Sequence, residues 1–109
     1  MIDSALINQI QNQVEQNRSN IIQFFKDIVA IPSHDSLIGP VGQRISLEMK
    51  KLAFDEIRFD KMGNILGRIG DGPRTIVFDS HIDTVGIGDP SSWKWDPFLG
   101  KIEGDQFFA

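Results

Sequence analysis

The most informative stretch of this chain is residues 75–86, which read Thr75-Ile76-Val77-Phe78-Asp79-Ser80-His81-Ile82-Asp83-Thr84-Val85-Gly86. The first four are apolar or β-branched, which predicts a buried central β-strand. On an extended segment side chains alternate faces, so His81 and Asp83 are expected to point the same way while Ile82 points into the fold. Because ligands of open α/β sheets lie beyond the carboxyl ends of strands, the end of this strand is a candidate site.

The His81–Asp83 pair has the chemistry of a metal site. Neutral imidazole is a common zinc ligand. A neighbouring carboxylate typically fixes the orientation of such a ring and raises its basicity. His81 is therefore a candidate metal ligand and Asp83 its orienting partner. The alternative is a hydrogen-bonded pair without a metal, which so short a motif leaves open.

Composition limits the size of the fold and its partners. The 109 residues, 40% of them hydrophobic, suffice for one domain at most with a modest core. The net charge of -4 comes without a basic cluster, so neither nucleic acid nor a membrane is an expected partner. Without cysteine, any zinc must be held by His, Asp and Glu, and this suits a reducing cytoplasm.

Apolar spacing predicts helices in the first half of the chain. One helical region runs from about Ser4 to Ala30, and its polar middle leaves open one long helix or two helices that meet near Ser19. A further helix is predicted with Pro40 in its first turn and an apolar face that continues to Ala53. His34 falls in the loop between these regions and is expected to be exposed to solvent, with a substrate contact as the alternative.

Alternating residues predict two hairpins in the rest of the chain. The first joins residues 56–61 to 64–69 through Gly63-Asn64, and the second is centred on Gly104-Asp105. Trp93 and Trp95 lie in the loop before the second hairpin. They could stack on a substrate or anchor the loop to the domain, and anchoring is the commoner use of loop aromatics.

Four ordered motifs resemble the N-terminal part of the M20-type metallopeptidases, the aminoacylase, desuccinylase and acetylornithine deacetylase group. They are Ile31-Pro32-Ser33, Gly63-Asn64, His81-x-Asp83-Thr84-Val85 and Trp95-x-x-Phe98. Residues 62–67 and 81–88 are similar, more narrowly, to the selenium-metabolism-linked hydrolases of that group. The resemblance implies an α/β fold in which N-terminal helices precede a mixed β-sheet, with residues 1–109 forming the N-terminal portion of a zinc-peptidase-like catalytic domain.

The resemblance also implies an activity for the parent protein. It would be a metal-dependent hydrolase with two divalent ions, zinc or alternatively cobalt or manganese, that cleaves small N-acyl amino acids or peptides as a cytoplasmic homodimer. His81 would be a metal ligand and Asp83 its catalytic orienting partner. The family's bridging aspartate, Glu-Glu pair and second histidine have no counterpart here, so the fragment alone is expected to bind zinc weakly and to be inactive. The alternative is a non-catalytic binding or dimerising module built on this fold.

Overall fold

The computed structural model describes Met1 and residues 3–109, which form helices followed by short strands. The helices are α1 (Ser4–Gln16), α2 (Arg18–Val29) and α3 (Ile38–Lys51). The strands are β1 (Glu56–Phe59), β2 (Ile65–Arg68), β3 (Lys101–Glu103) and β4 (Gln106–Phe108), with a short 3₁₀ helix at Pro90–Ser92. The predicted α/β class, with N-terminal helices preceding the strands, is confirmed. In the described part of the chain, no helix is both long and apolar enough to cross a membrane.

The first helical region consists of two helices that meet at Asn17. The Asn17 side chain donates a hydrogen bond to the Gln13 carbonyl at 2.8 Å. Such side-chain bonds compete with the helical ladder and favour its interruption. An ion pair between Arg18 and Glu15, 2.7 Å long, spans the break. Of the two possibilities left open by the sequence, the structure therefore shows the pair of helices.

Helix α3 begins at Ile38 and has Pro40 in its first turn, as predicted. Proline is accommodated there because the first turn has no helical partner for its missing N–H. The prediction that the apolar face continues to Ala53 is wrong by two residues, because the helix ends at Lys51. Ala53 has a φ of 57°, a left-handed conformation that stops a helix.

Polar and aromatic contacts join α3 to its neighbours. Arg44 donates to the Asp27 carboxylate of α2 at 2.8 Å and pairs with Glu48 at 2.9 Å. Its guanidinium also lies 5.0 Å from the centre of the Phe24 ring. The hydrogen bond from Arg44, followed by one from Gln23, holds the pKa of the Asp27 carboxyl below its usual range. These contacts fix α2 against α3.

Both predicted hairpins are present and antiparallel. In the first, Glu56 faces Arg68 and Phe59 faces Ile65. The turn between β1 and β2 is organised by Asp60, which accepts hydrogen bonds from the Asn64 side chain and from nearby backbone N–H groups. These bonds lower the pKa of the Asp60 carboxyl, and the bond from the Asn64 side chain has the largest effect. In the second hairpin Gly104, with a φ of 60°, provides the left-handed turn residue.

The predicted central strand over residues 75–78 is wrong for this structure. The described strands form two separate two-stranded sheets, and this segment pairs with neither. Ile76, Val77 and Phe78 are 80%, 80% and 94% exposed. An apolar β-branched run becomes a central strand only when neighbouring strands and a covering layer are available. The strands of each hairpin pair only with each other, so no described strand lies beside this segment.

The apolar core is small as a result. Among the described residues, Val41 is the only hydrophobic residue that is almost fully buried, with 3% of its surface exposed. The radius of gyration of the Cα atoms is 16.9 Å. A compact domain of this length has a radius of about 13 Å. Much apolar surface on α1, α2 and residues 76–78 therefore faces solvent.

Candidate functional site

His81 and Asp83 contact each other, as the spacing predicts. The Nδ1 atom of His81 lies 3.2 Å from Asp83 Oδ1 and 2.9 Å from the Asp83 backbone oxygen. In the tautomer with a proton on Nδ1, the ring donates to these oxygens and Nε2 carries the free lone pair. Both side chains are exposed, His81 by 83% and Asp83 by 63%. The geometry is that of an oriented imidazole, while its role as a metal ligand stays a prediction.

Two hydrogen bonds between Ser33, in the loop after α2, and Thr84 hold this pair in place, and we call them the Ser33–Thr84 tie. Ser33 Oγ and Thr84 Oγ1 are 3.2 Å apart, and the Thr84 N–H donates to the Ser33 carbonyl at 3.4 Å. Ser33 is only 1% exposed. Sequence reasoning noticed both motifs but did not pair them, because 51 residues separate the two side chains.

The tie brings His81 and Asp83 to the wall of a cleft of about 490 Å³. Apolar side chains of α2, α3 and the loop before β3 form most of this cleft, including Val29, Val41, Ile45, Ile87 and Phe98. The polar side chains on its wall are Ser33, His34, His81, Asp83 and Thr84. The cleft therefore combines a large apolar surface with a few polar groups, as small-molecule sites do.

His34 departs from its prediction as an exposed loop residue. It is half-buried and lines the same cleft as His81. The Asp35 and Ser36 residues that follow have φ values of 51° and 67°, so the chain turns sharply after it. Nothing in the sequence pattern pointed to this position, because it results from the contact between two distant loops.

The donor set fits one part of a metal centre. Across Met1 and residues 3–109, no group of three or more His, Cys, Asp or Glu side chains is placed to hold a metal ion. Catalytic zinc sites usually draw three protein ligands. His81 with its carboxylate partner can supply one of these ligands, and any further ligands would have to come from protein outside the described residues.

The tryptophan loop is held by its own contacts. The Trp93 indole N–H donates to the Ile87 carbonyl at 2.8 Å. The Trp93 and Trp95 rings meet edge to face at 5.6 Å, and Trp95 meets Phe108 in the same manner at 6.0 Å. These contacts favour the anchoring interpretation, and they place the Trp93 ring on the cleft wall.

Several characterised and uncharacterised proteins are similar to this chain. It is 44% identical over 100 residues to the uncharacterized protein YgeY of Escherichia coli K12, and the aligned region covers 92% of the chain and 25% of YgeY. It is 34% identical over 81 residues to the succinyl-diaminopimelate desuccinylase of Beijerinckia indica, covering 72% of the chain and 21% of that enzyme. The desuccinylase of Methylocella silvestris is 47% identical over 46 residues, covering 42% and 12%.

These similarities support an M20-like N-terminal sequence. The chain spans about a quarter of the length of YgeY and less of the desuccinylases. No family profile matches the chain. No solved structure matches it either.

Proposed function

We propose that this chain contributes one metal ligand and a wall of the substrate cleft to an M20-type hydrolase of amide bonds. The observation that carries the proposal is the contact between His81 Nδ1 and Asp83 on the wall of an apolar cleft. The similarity to desuccinylases supports the same class of reaction. The substrate class that follows is a small N-acyl amino acid or peptide, whose apolar part the cleft would hold.

Each residue has a defined part in this proposal. His81 would bind the metal through Nε2, because Nδ1 is directed at Asp83. Asp83 would hold the ring in that orientation and raise the basicity of Nε2. Zinc, or cobalt or manganese in its place, would supply an activated water and polarise the carbonyl of the amide. The general base and the remaining ligands would come from other parts of the longer protein.

Three further properties of the parent protein belong to this proposal. A relationship to the selenium-metabolism-linked hydrolases is proposed on the resemblance of residues 62–67 and 81–88 to that group. A homodimer is proposed on the same resemblance. A cytoplasmic setting is proposed because the chain has no cysteine and an excess of acidic residues.

Zinc binding and hydrolysis in the full-length protein test the proposal. His81→Ala should abolish release of the amino acid and most zinc binding while circular dichroism stays unchanged. Asp83→Ala should weaken zinc binding about 10–100-fold, as removal of an orienting carboxylate does. Chelation of the metal should remove activity, and added zinc should restore it.

His34→Ala is the matched control, since it removes the other imidazole of the cleft without touching Asp83. It should leave zinc affinity unchanged. Equal zinc loss in His34→Ala and His81→Ala, or full activity in His81→Ala, would refute the ligand assignment. A full-length protein that binds no zinc and hydrolyses no amide would favour the non-catalytic binding or dimerising module instead.

A further inference from the structure

Ser33 is the most deeply buried side chain among the described residues, and its polar contacts go to a single partner. Its hydroxyl meets the Thr84 hydroxyl at 3.2 Å, and its carbonyl accepts the Thr84 N–H at 3.4 Å. Two bonds to one residue fix the direction of the Thr84 backbone as well as its position. Thr84 directly follows Asp83, so the attachment lies next to the candidate site.

The segment that carries the site has little else to hold it. Within the described chain, every hydrogen bond that joins residues 75–86 to residues outside that segment goes to Ser33. The other bonds of the segment are internal, such as those between His81 and Asp83. The exposed side chains of residues 76–78 add little packing, and the one side chain of residues 75–86 that is not exposed is the half-buried Ile82 on the cleft wall.

We infer that Ser33 is a positioning residue for the candidate metal site, acting through Thr84 on His81 and Asp83. This inference rests on the proposed function. With the tie in place, the imidazole stays at the wall of the cleft. Without it, residues 81–83 keep only the apolar contact of Ile82 with the cleft. The His81 ring must then be ordered when the metal binds, which lowers the affinity for the metal.

The inference makes a quantitative prediction for zinc affinity in the full-length protein. Ser33→Ala removes one hydroxyl, and Thr84→Val removes the other while keeping the shape of the side chain. Each should lower zinc affinity about tenfold, at the low end of the effect of outer-shell substitutions. The double variant should lose no more than either single variant, because both remove the same interaction.

Two control variants separate positioning from general damage. Thr84→Ser keeps the hydroxyl and should bind zinc as the wild type does. Ser46→Ala removes another buried serine hydroxyl, on α3 and not among the residues that line the cleft, and should also leave zinc affinity unchanged. In metal-free protein, the Thr84 amide should exchange its hydrogen faster in Ser33→Ala than in Ser46→Ala.

The measurement is competition for zinc with a chromogenic chelator, together with the melting temperature of the metal-free protein. Wild-type zinc affinity in Ser33→Ala and in Thr84→Val would overturn the inference while leaving the proposed function standing. Equal loss of affinity in Ser46→Ala would also overturn it. If Ser33→Ala does not fold, Thr84→Val and Thr84→Ser decide the question. A wild-type protein that binds no zinc would overturn the proposed function and, with it, the positioning role.

Discussion

Two regions of the molecule differ in how their backbone hydrogen-bonding groups find partners. They are the helix and hairpin unit of residues 18–68 and the site-bearing segment of residues 75–86. In the first, helical ladders and the β1–β2 pairing use neighbours that are close along the chain. In the second, the extended backbone has no strand beside it in the described structure and is joined to the rest through Ser33. Local elements form from local sequence, whereas an extended segment needs partners that lie far away in the chain.

Within the helix and hairpin unit, β2 packs closely against α3 and the loop that follows α3. We expect a single added methyl group to be most damaging at this contact. A Cβ atom on Gly67 would lie 2.7 Å from Met49 Sδ and 2.7 Å from Phe54 Cδ2. Gly67→Ala should lower the free energy of unfolding by about 3 kcal/mol, because overpacking forces the ring or the strand to move. Urea denaturation of the 109-residue chain measures the loss.

Gly86→Ala is the matched control, since a Cβ there meets nothing within 4 Å and Gly86 is not among the glycines with a positive φ. It should leave the free energy of unfolding unchanged or raise it slightly, because alanine has fewer conformations to lose from the unfolded chain. Equal effects of the two substitutions would show that the close contact of β2 with Met49 and Phe54 does not form.

The ion pairs of Arg44 should give a smaller effect that depends on pH. Arg44→Met removes the partner of Asp27 and of buried Glu48, so the chain should lose stability, though less than in Gly67→Ala. Arg44 lowers the pKa of Asp27 in the folded state. The stabilisation is therefore present above the ordinary pKa of an aspartate and is lost as pH falls through the lowered value.

Melting temperatures of wild type and Arg44→Met between neutral and strongly acidic pH check this prediction. The two curves should converge in acid, where Asp27 becomes protonated in both. Arg18→Met, which removes the exposed pair with Glu15, should follow the wild-type curve near neutral pH. A constant gap at all pH values would contradict the role given to Asp27.

The smallest effect is expected in the site-bearing segment. Phe78→Ser should leave the stability of the 109-residue chain unchanged, because its ring is 94% exposed. Phe54→Ser, which removes a half-buried ring packed on β2, should destabilise it clearly. Urea midpoints of the two variants test the contrast, and equal losses would show that residues 76–78 are packed after all.

The same contrast explains which predictions from sequence succeed. The hairpins were predictable because Gly63-Asn64 and Gly104-Asp105 encode their turns locally. The sequence leaves open one long helix or two that meet near Ser19, because the interruption depends on local contacts such as the hydrogen bond from the Asn17 side chain to the Gln13 carbonyl. The strand over 75–78 was predicted wrongly because its composition specifies a buried environment that the described chain does not provide.

The site shows the same division. The approach of His81 to Asp83 was predictable from a spacing of two. The tie from Ser33 to Thr84 and the position of His34 on the cleft were not, because each depends on contacts between distant loops. Periodicity and turn chemistry contain no information about such pairs.

The tryptophan loop gives this molecule a built-in optical probe of one region. The chain has two tryptophans and no tyrosine, and both indoles lie next to each other between Ile87 and β3. Intrinsic emission therefore reports on the tryptophan loop, in which Trp93 lies on the cleft wall and Trp95 packs on β4, while far-ultraviolet ellipticity is dominated by α1, α2 and α3. Two superimposable melting curves would mean that this loop and the helices unfold as one cooperative unit, and an earlier emission change would give the temperature at which the loop detaches.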